Sequence, residues 1–362
     1  MEEKGLLSAY LLYYWPVSYQ QLSHIFRTLS SPAASDFIKT IINREKTLSV
    51  LDIGCGPGPA ASAACDFLTG PLGLKEDDIS VFLADYSEKA LSLARTVFSR
   101  DFPSVNTKIC ACDLEKNFLK HIVSQTKSRF SILLISHSLN ELWKKDGKKI
   151  EKRAALIEDI LDSCMEDESL IILCEPAQTN SSRELIAVRD RLLASRNDLR
   201  ILSPCLRSDS PCPALLQTEG TTCHFEESWE VVEPASSLAK AANLDRNSVK
   251  MAYFVFRKSA QACKDTTEAT EDGDCSSNDI SFTARVVSDA MLNKAGRTRF
   301  VLCDGRRRFS LSAKKGEKAA DECGFWNLRR GQLISVTGAE ARGEQAGPSF
   351  AVKDGTKLEI RS

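Results

Sequence analysis

Leu51-Asp52-Ile53-Gly54-Cys55-Gly56-Pro57-Gly58-Pro59-Ala60-Ala61 decides how this chain is read. An apolar run at 48–53 enters the stretch and a small-residue helical pattern at 60–68 leaves it, so the glycines sit at a strand–loop–helix junction. Glycine there lets ligand atoms approach backbone where any Cβ would collide. The dinucleotide fingerprint can be threaded through Gly56, Gly58 and Ala61, but a proline between the second and third glycines of Gly54-x-Gly56-x-Gly58 suits it poorly. A tight turn without a ligand is the plainer reading of the same residues.

Working outward, short apolar runs at 48–53, 79–84, 105–111, 130–136 and 170–174 alternate with amphipathic stretches at 60–68, 87–98, 114–126 and 149–164. Strands alternating with helices of this length predict crossover units and a parallel, doubly wound Rossmann-like α/β sheet. A helix at 182–194 and strands at 201–202 and 251–256 complete it. Residues 1–47, rich in Leu, Tyr and Phe and broken by Pro16, read as a helical cap.

Ligands of open α/β sheets lie beyond the carboxyl ends of the strands. Asp85 ends the second strand, where it would accept from ribose hydroxyls, and Asp113 ends the third, where it would accept from an adenine amino group. Each alone reads equally as a helix N-cap. Asp52, Gly54, Gly56 and Gly58 form a D-x-G-x-G-x-G pattern that resembles class I S-adenosylmethionine-dependent methyltransferases. The fourth strand runs into Ser136-His137-Ser138-Leu139-Asn140-Glu141-Leu142. Here Asn140 and Glu141 would orient an acceptor and His137 would take a proton, or the segment is a capped helix start with a satisfied histidine. The Asn-Pro-Pro-aromatic loop of many amino-methyltransferases is missing, and no Pro-Cys follows this strand.

The whole chain has 362 residues, 48 Lys+Arg against 49 Asp+Glu, 43% hydrophobic and 27% charged residues, which suits two domains. No apolar run approaches the roughly 20 residues of a membrane span. The acidic start, Met1-Glu2-Glu3-Lys4, points to the cytoplasm, with the mitochondrial matrix as the alternative. Residues 261–280 are Thr-, Ser-, Glu- and Asp-rich and read as an acidic linker. Beyond it, 281–362 carries sixteen basic against nine acidic side chains and short Gly-punctuated runs at 281–287, 299–302, 308–311, 332–336 and 350–360. These predict a small basic β-barrel, OB-like. Arg297, Arg299, Arg306, Arg307, Arg308, Lys314, Lys315 and Lys318 crowd one pair of strands, interleaved with Phe300 and Phe309. A solvated charged face is the ordinary reading; contact with an RNA backbone is the sharper one. A monomer is expected.

Thirteen cysteines, an odd count, argue for reduced thiols and metal ligation over disulfides. Cys205, Cys212 and Cys223 fall in an insertion, 203–224, that otherwise reads as loop. Six and ten intervening residues match neither zinc knuckles nor ferredoxin runs, so spacing leaves free thiols, zinc and iron open. His224, Cys303 or Cys323 would complete a site of four, the last two by clamping insertion to barrel.

Together with the glycine loop and Ser136–Leu142, the motifs Cys174-Glu-Pro, Ser203-Pro-Cys, Pro211-Cys-Pro, Cys223-His-Phe and the 238–258 stretch resemble the methyltransferase-like small-subunit ribosome assembly factor family of bacteria and mitochondria. Val301-Leu-Cys303-Asp-Gly305 adds a shorter match. The resemblance implies S-adenosylmethionine binding at 48–260, a four-iron four-sulfur cluster on Cys205, Cys212, Cys223 and Cys303, and action on small-subunit ribosomal RNA. It implies either methyl transfer or a non-catalytic, cofactor-binding role in subunit assembly.

Overall fold

The glycine loop rises from the middle of an eight-stranded sheet. The computed structural model describes residues 8–30, 32–45, 47–116, 118–126, 128–217, 220–244, 247–259, 280–342 and 349–361. The expected acidic linker at 261–280 lies outside them except for Ile280, which opens a strand. In chain order the first part runs through α1 (Trp15–Thr28), α2 (Pro32–Arg44), β1 (Leu48–Ile53), α3 (Pro59–Thr69), β2 (Ile79–Asp85), α4 (Glu88–Asp101), β3 (Asn106–Ala111), α5 (Phe118–Gln125) and β4 (Phe130–Ser136). It continues with α6 (Lys149–Ser163), β5 (Met165–Pro176), α7 (Thr179–Ser195), β6 (Leu199–Ser203), β7 (Phe225–Ser228), α8 (Ala235–Ala241) and β8 (Ser248–Lys258).

The sheet order is β3-β2-β1-β4-β5-β8-β6, with β7 on β8. β1 pairs in parallel with both β2 and β4, and β8 alone runs antiparallel, between β5 and β6. Helices cover both faces of the parallel strands, which is why β1, β2 and β4 are almost continuously buried and their sequences are apolar without alternation. The order reverses at β1 and β4, and their carboxyl ends therefore frame the crevice where such sheets take ligands.

Pro16 does not break the opening helix. A π-helical turn, Tyr10–Tyr14, leads straight into α1, and Pro16 lies in the first turn, where its missing N–H costs nothing. α1 packs on α3 through Phe26 and Phe67, stacked at 5.0 Å, and through the Tyr19 hydroxyl, which donates to Asp66. The strand expected at 170–174 extends over twelve residues as β5 because its solvent-side half, Met165–Ser169, is polar and hides the periodicity.

The chain separates into two compact units: Met1–Pro204 with Glu226–Ala262, and Cys205–Phe225 with Cys263–Ser362. The second contains β9 (Ile280–Val286), β10 (Met291–Leu292), β11 (Arg297–Cys303), β12 (Arg308–Lys314), α9 (Lys318–Glu322), β13 (Leu333–Ala341), β14 (Ser349–Ala351) and β15 (Lys357–Ile360). β9 pairs with β11 and β13, β11 with β12, β12 in parallel with β14, and β14 with β13, so five strands close into a barrel. The run expected at 350–360 is two strands, parted at Gly355, whose φ of 85° only glycine adopts readily. Inside, Phe300, Leu302, Phe309, Leu311, Phe325 and Ile334 form the core. No described helix is long and apolar enough to cross a membrane.

Phe325 is wholly buried and meets Phe300 edge-on at 5.3 Å. Phe325→Ala is expected to cost about 3–5 kcal/mol in denaturant unfolding of the barrel; a loss under about 1 kcal/mol would place the barrel's stability elsewhere.

Candidate functional site

Three left-handed glycines shape the loop after β1: Gly54, Gly56 and Gly58, at φ 66°, 52° and 82°. Two of them make room for protein rather than for a ligand. A Cβ on Gly54 would stand 2.4 Å from the Ser138 Cβ, and one on Gly58 would stand 3.1 Å from the Phe98 ring. Gly54 thus lets the exit of β4 press against the exit of β1, and Gly58 lets α4 press against the start of α3. Pro59 opens α3 at the position that needs no N–H.

Two buried carboxylates stand behind the loop. Asp85 Oδ2 accepts from the Gly56 N–H and Oδ1 from the Ser87 N–H, both at 2.8 Å, so it anchors the loop and opens α4 at once. Burial raises its pKa, and the two backbone donors work against that. Asp52 Oδ2 accepts from the Ala61 N–H at 3.1 Å, while Oδ1 is buried with no partner. Burial pushes this carboxyl to about 7; the Ala61 bond opposes the rise and the Asp85 charge adds to it. Asp113 is exposed, bonded to the Glu115 N–H and ion-paired with Lys116, both of which hold its carboxyl low. Tyr86, next to Asp85 and 66% exposed, offers a ring face at the same edge; an isolated tyrosine gives no periodic signal, and sequence reasoning passed over it.

The lead-in to α1 leans over this loop. The Trp15 indole N–H donates to the Pro57 carbonyl at 3.3 Å. Burial pushes the Tyr10 phenol to about 12, a bond with Ser18 opposes the rise, and Asp52, Asp85 and Cys55 add to it by charge. Residues 55–58 are buried in consequence.

The segment after β4 is held from several sides. His137 has φ 55° and Trp143 φ 48°, conformations that side-chain-bearing residues keep only when their surroundings impose them. The His137 N–H reaches the Cys174 carbonyl, the Ser138 hydroxyl donates to Ile53, and the Trp143 N–H donates to Glu115. Gln21 donates its amide N–H to the Lys250 carbonyl, so its Oε1 faces His137 Nε2 at 2.7 Å. Nε2 therefore carries the proton and Nδ1 the lone pair. Burial lowers the ring's pKa to about 4, which keeps it neutral. Glu141 is exposed and ion-paired with Lys144. Glu175, at the end of β5, was not singled out in the sequence; it is 1% exposed and accepts from the Asn140 N–H at 3.3 Å. Burial pushes its carboxyl to about 8, against the Asn140 and Leu139 backbone donors and the Arg153 charge.

In the second unit the cysteine insertion packs on the barrel. Gly305 lies against Arg207, the Ser210 hydroxyl donates to the Gly305 carbonyl, and Arg308 donates to the Thr222 carbonyl at 2.8 Å. Arg306 pairs with Asp209, Arg307 with Asp304, and Arg297 grips Glu317 with both terminal nitrogens. Four of the expected RNA-facing arginines thus pair with the unit's own loops, though Arg306 and Arg307 stay exposed, as are Arg299, Lys314 and Lys315. Burial pushes the Cys303 thiol to about 12; the Gly305 N–H opposes this, and Cys223 and Cys212 add to it as near neighbours. Cys212 is buried, Cys205 and Cys223 half-buried. Cys323 instead points its thiol at the Ala320 carbonyl, 3.7 Å away in its own helix. Among the described residues, no group of three or more His, Cys, Asp or Glu side chains is placed to hold a metal ion.

Residues 44–210 match a family model described as a methyltransferase domain. The sheet of the first unit, with its reversed order at β1 and β4 and one antiparallel strand, is the class I methyltransferase sheet. Among solved structures, the plantazolicin methyltransferase BpumL in complex with SAH is 14% identical over 67% of this chain and 96% of its own, at a TM-score of 0.33. An rRNA methylase from Streptococcus thermophilus is 14% identical over 62% of this chain and 93% of its own, also at 0.33. No curated protein matches the chain.

The titrations of the first unit set its pH response. Asp52 and Glu175 have folded values raised to about 7 and 8 from ordinary values near 4, so between these limits the folded state binds more protons than the unfolded one. Stability therefore falls as pH rises through that window. His24 and His137, lowered from 6.5 to about 4, act oppositely, but only below 6.5. The net decline is expected between pH 6.5 and 8, and Glu175→Gln should flatten it in denaturant titrations. An unchanged slope in that variant would remove Glu175 from the account.

Proposed function

We propose that the protein binds S-adenosylmethionine and methylates small-subunit ribosomal RNA, alone or in the assembling subunit, as a monomer. The buried, unpartnered Asp52 Oδ1 at the sheet's switch point, inside the matched methyltransferase domain, carries this reading. A cationic ligand with a purine and a ribose suits the groups gathered there. Asp52 takes an ammonium N–H and the Gly56 turn admits ligand atoms to the backbone. Asp85 retains lone pairs for ribose hydroxyls, Tyr86 offers a stacking face, and Asp113 takes an amino group. Bound there, the cofactor supplies an electrophilic methyl group. Asn140 orients the acceptor, Glu141 lines the approach, and the neutral His137 takes the released proton on Nδ1.

RNA would be held by the barrel. Its closed five-strand order, with one parallel pair, suits an OB-type oligonucleotide face; Arg299 and Lys314 lie on the β11–β12 pair that such folds use, and Lys315 directly follows it. Arg297, Arg306, Arg307 and Arg308 serve that face by fixing its loops. The reading extends to a four-iron four-sulfur cluster on Cys205, Cys212, Cys223 and Cys303, with zinc as the alternative. That Cys212 and Cys223 each act on Cys303 by charge supports it, but the thiols as placed are not a finished ligand set, and no step of the chemistry runs through them.

A second reading, a cofactor-binding assembly factor without transfer, is favoured by the cover over the loop: residues 55–58 are buried and Trp15 is bonded to Pro57. Tritium transfer from labelled S-adenosylmethionine to immature small-subunit RNA separates the two; binding without transfer selects the second.

Tyr86→Ala, at an exposed position, is expected to leave the fold intact and weaken cofactor binding about tenfold in calorimetry, the loss of one stacking contact. Equal affinity would take that ring out of the site. Cys212→Ser is expected to lose the iron and visible absorbance of anaerobically purified protein, and full retention of both would end its assignment as a ligand.

A further inference from the structure

The opening helix holds the first unit in two different ways. From Tyr19 onward α1 is fixed: the Tyr19 hydroxyl donates to Asp66, the Gln21 amide to the Lys250 carbonyl, and Phe26 stacks on Phe67. The π-helical turn before it, Tyr10–Tyr14, contributes no buried side chain, and Leu12 and Tyr14 are 46% and 52% exposed. Its rings pack on one another, Tyr10 against Tyr14 at 5.8 Å and Tyr13 edge-on to Tyr14 at 5.1 Å, so the turn keeps its own shape. The join between the two parts is weak. There the Trp15 N–H reaches the Tyr10 carbonyl, five residues back, and Pro16 has no N–H to send back at all. A π-turn set against a proline is where a helix bends most easily.

This lead lies on the glycine loop. The Trp15 indole donates to the Pro57 carbonyl at 3.3 Å, a long bond, and its ring stacks on Tyr19 at 5.4 Å. The Tyr10 phenol is near enough to Asp52, Asp85 and Cys55 to feel their charges. Beneath the lead, residues 55–58, Asp52 and Asp85 are all buried. Yet Asp52 Oδ1 has no hydrogen-bond partner there. The lead therefore hides the loop without satisfying it, and a ligand that brings N–H donors would satisfy what the lead leaves unmet.

We propose that Tyr10–Trp15 is an autoinhibitory cover that competes with the cofactor for the glycine loop, swinging at its join with Pro16 and latched by the bond from the Trp15 indole to Pro57. The inference rests on the cofactor-binding reading, common to both functions considered above, and adds its regulation. The cofactor enters only the open state, so its apparent affinity is the intrinsic affinity scaled by the open fraction. Loosening the latch raises that fraction and tightens binding. A lead that served only as packing would act in the opposite sense, since loosening it would leave affinity unchanged or lower it.

The test uses the full chain and S-adenosylmethionine. Trp15→Phe keeps a ring to stack on Tyr19 and removes the N–H; calorimetry is expected to show binding about threefold tighter than in the unaltered protein, the share of one long hydrogen bond. Tyr10→Ala combined with Trp15→Phe should reach about tenfold. In the unaltered protein, hydrogen–deuterium exchange over residues 10–15 should speed up when S-adenosylmethionine is added, while exchange over 19–26 stays as it was. Unchanged or weaker binding in both variants, or slower exchange over 10–15 in the complex, overturns the cover. Failure of all three proteins to bind S-adenosylmethionine overturns the cofactor reading itself, and the cover with it.

Discussion

The contact on which the first unit depends is the one between Gly54 and Ser138. β1 and β4 are hydrogen-bonded neighbours, and where they end their loops turn into the same crevice. Any side chain at Gly54 would drive the two loops apart, since its Cβ would overlap Ser138 at 2.4 Å. With glycine there, the glycine loop and the segment after β4 pack closely, and the Ser138 hydroxyl reaches back to Ile53. A transfer reaction needs its two partners held at such short range.

Around that contact the chain spends polar groups that a purely structural site would pair off. Asp85 spends one bond from each oxygen on tying the loop to β2 and α4. Asp52, Glu175 and Asn140 each keep one buried oxygen without a donor, and burial holds the two carboxyls well above their ordinary values. The buried guanidinium beside Asn140 and Glu175 is, by contrast, spent: Arg153 caps two carbonyls and meets Glu184. The unsatisfied oxygens are therefore gathered at the carboxyl ends of β1, β4 and β5, where sheets of this order take ligands.

The second unit solves a different problem. Its insertion, residues 205–225, has too little apolar content to fold by itself and is fixed by the barrel it packs on. Arg306 on Asp209, Arg308 on the Thr222 carbonyl and Gly305 against Arg207 make up that attachment. Part of the arginine run thus pairs with the insertion, while Arg299, Lys314 and Lys315, like Arg306 and Arg307, are exposed.

The sequence alone determined the sheet strands and the glycine junction, because strands buried on both faces carry uninterrupted apolar runs and left-handed turns demand glycine. Asp52, Asp85 and His137 were legible as strand-end residues for the same reason. What the glycines make room for was decided only in three dimensions, since Ser138 and Phe98 are remote in the chain from Gly54 and Gly58. Tertiary structure also decided that Glu175, inside an ordinary-looking strand end, faces Asn140 while Glu141 turns to solvent. Likewise, which arginines pair with the insertion followed from its acidic and carbonyl groups, which nothing in the spacing of the arginine run foretells. Burial and pairing are properties of where chain segments meet, and a one-dimensional pattern records the segments without recording the meeting.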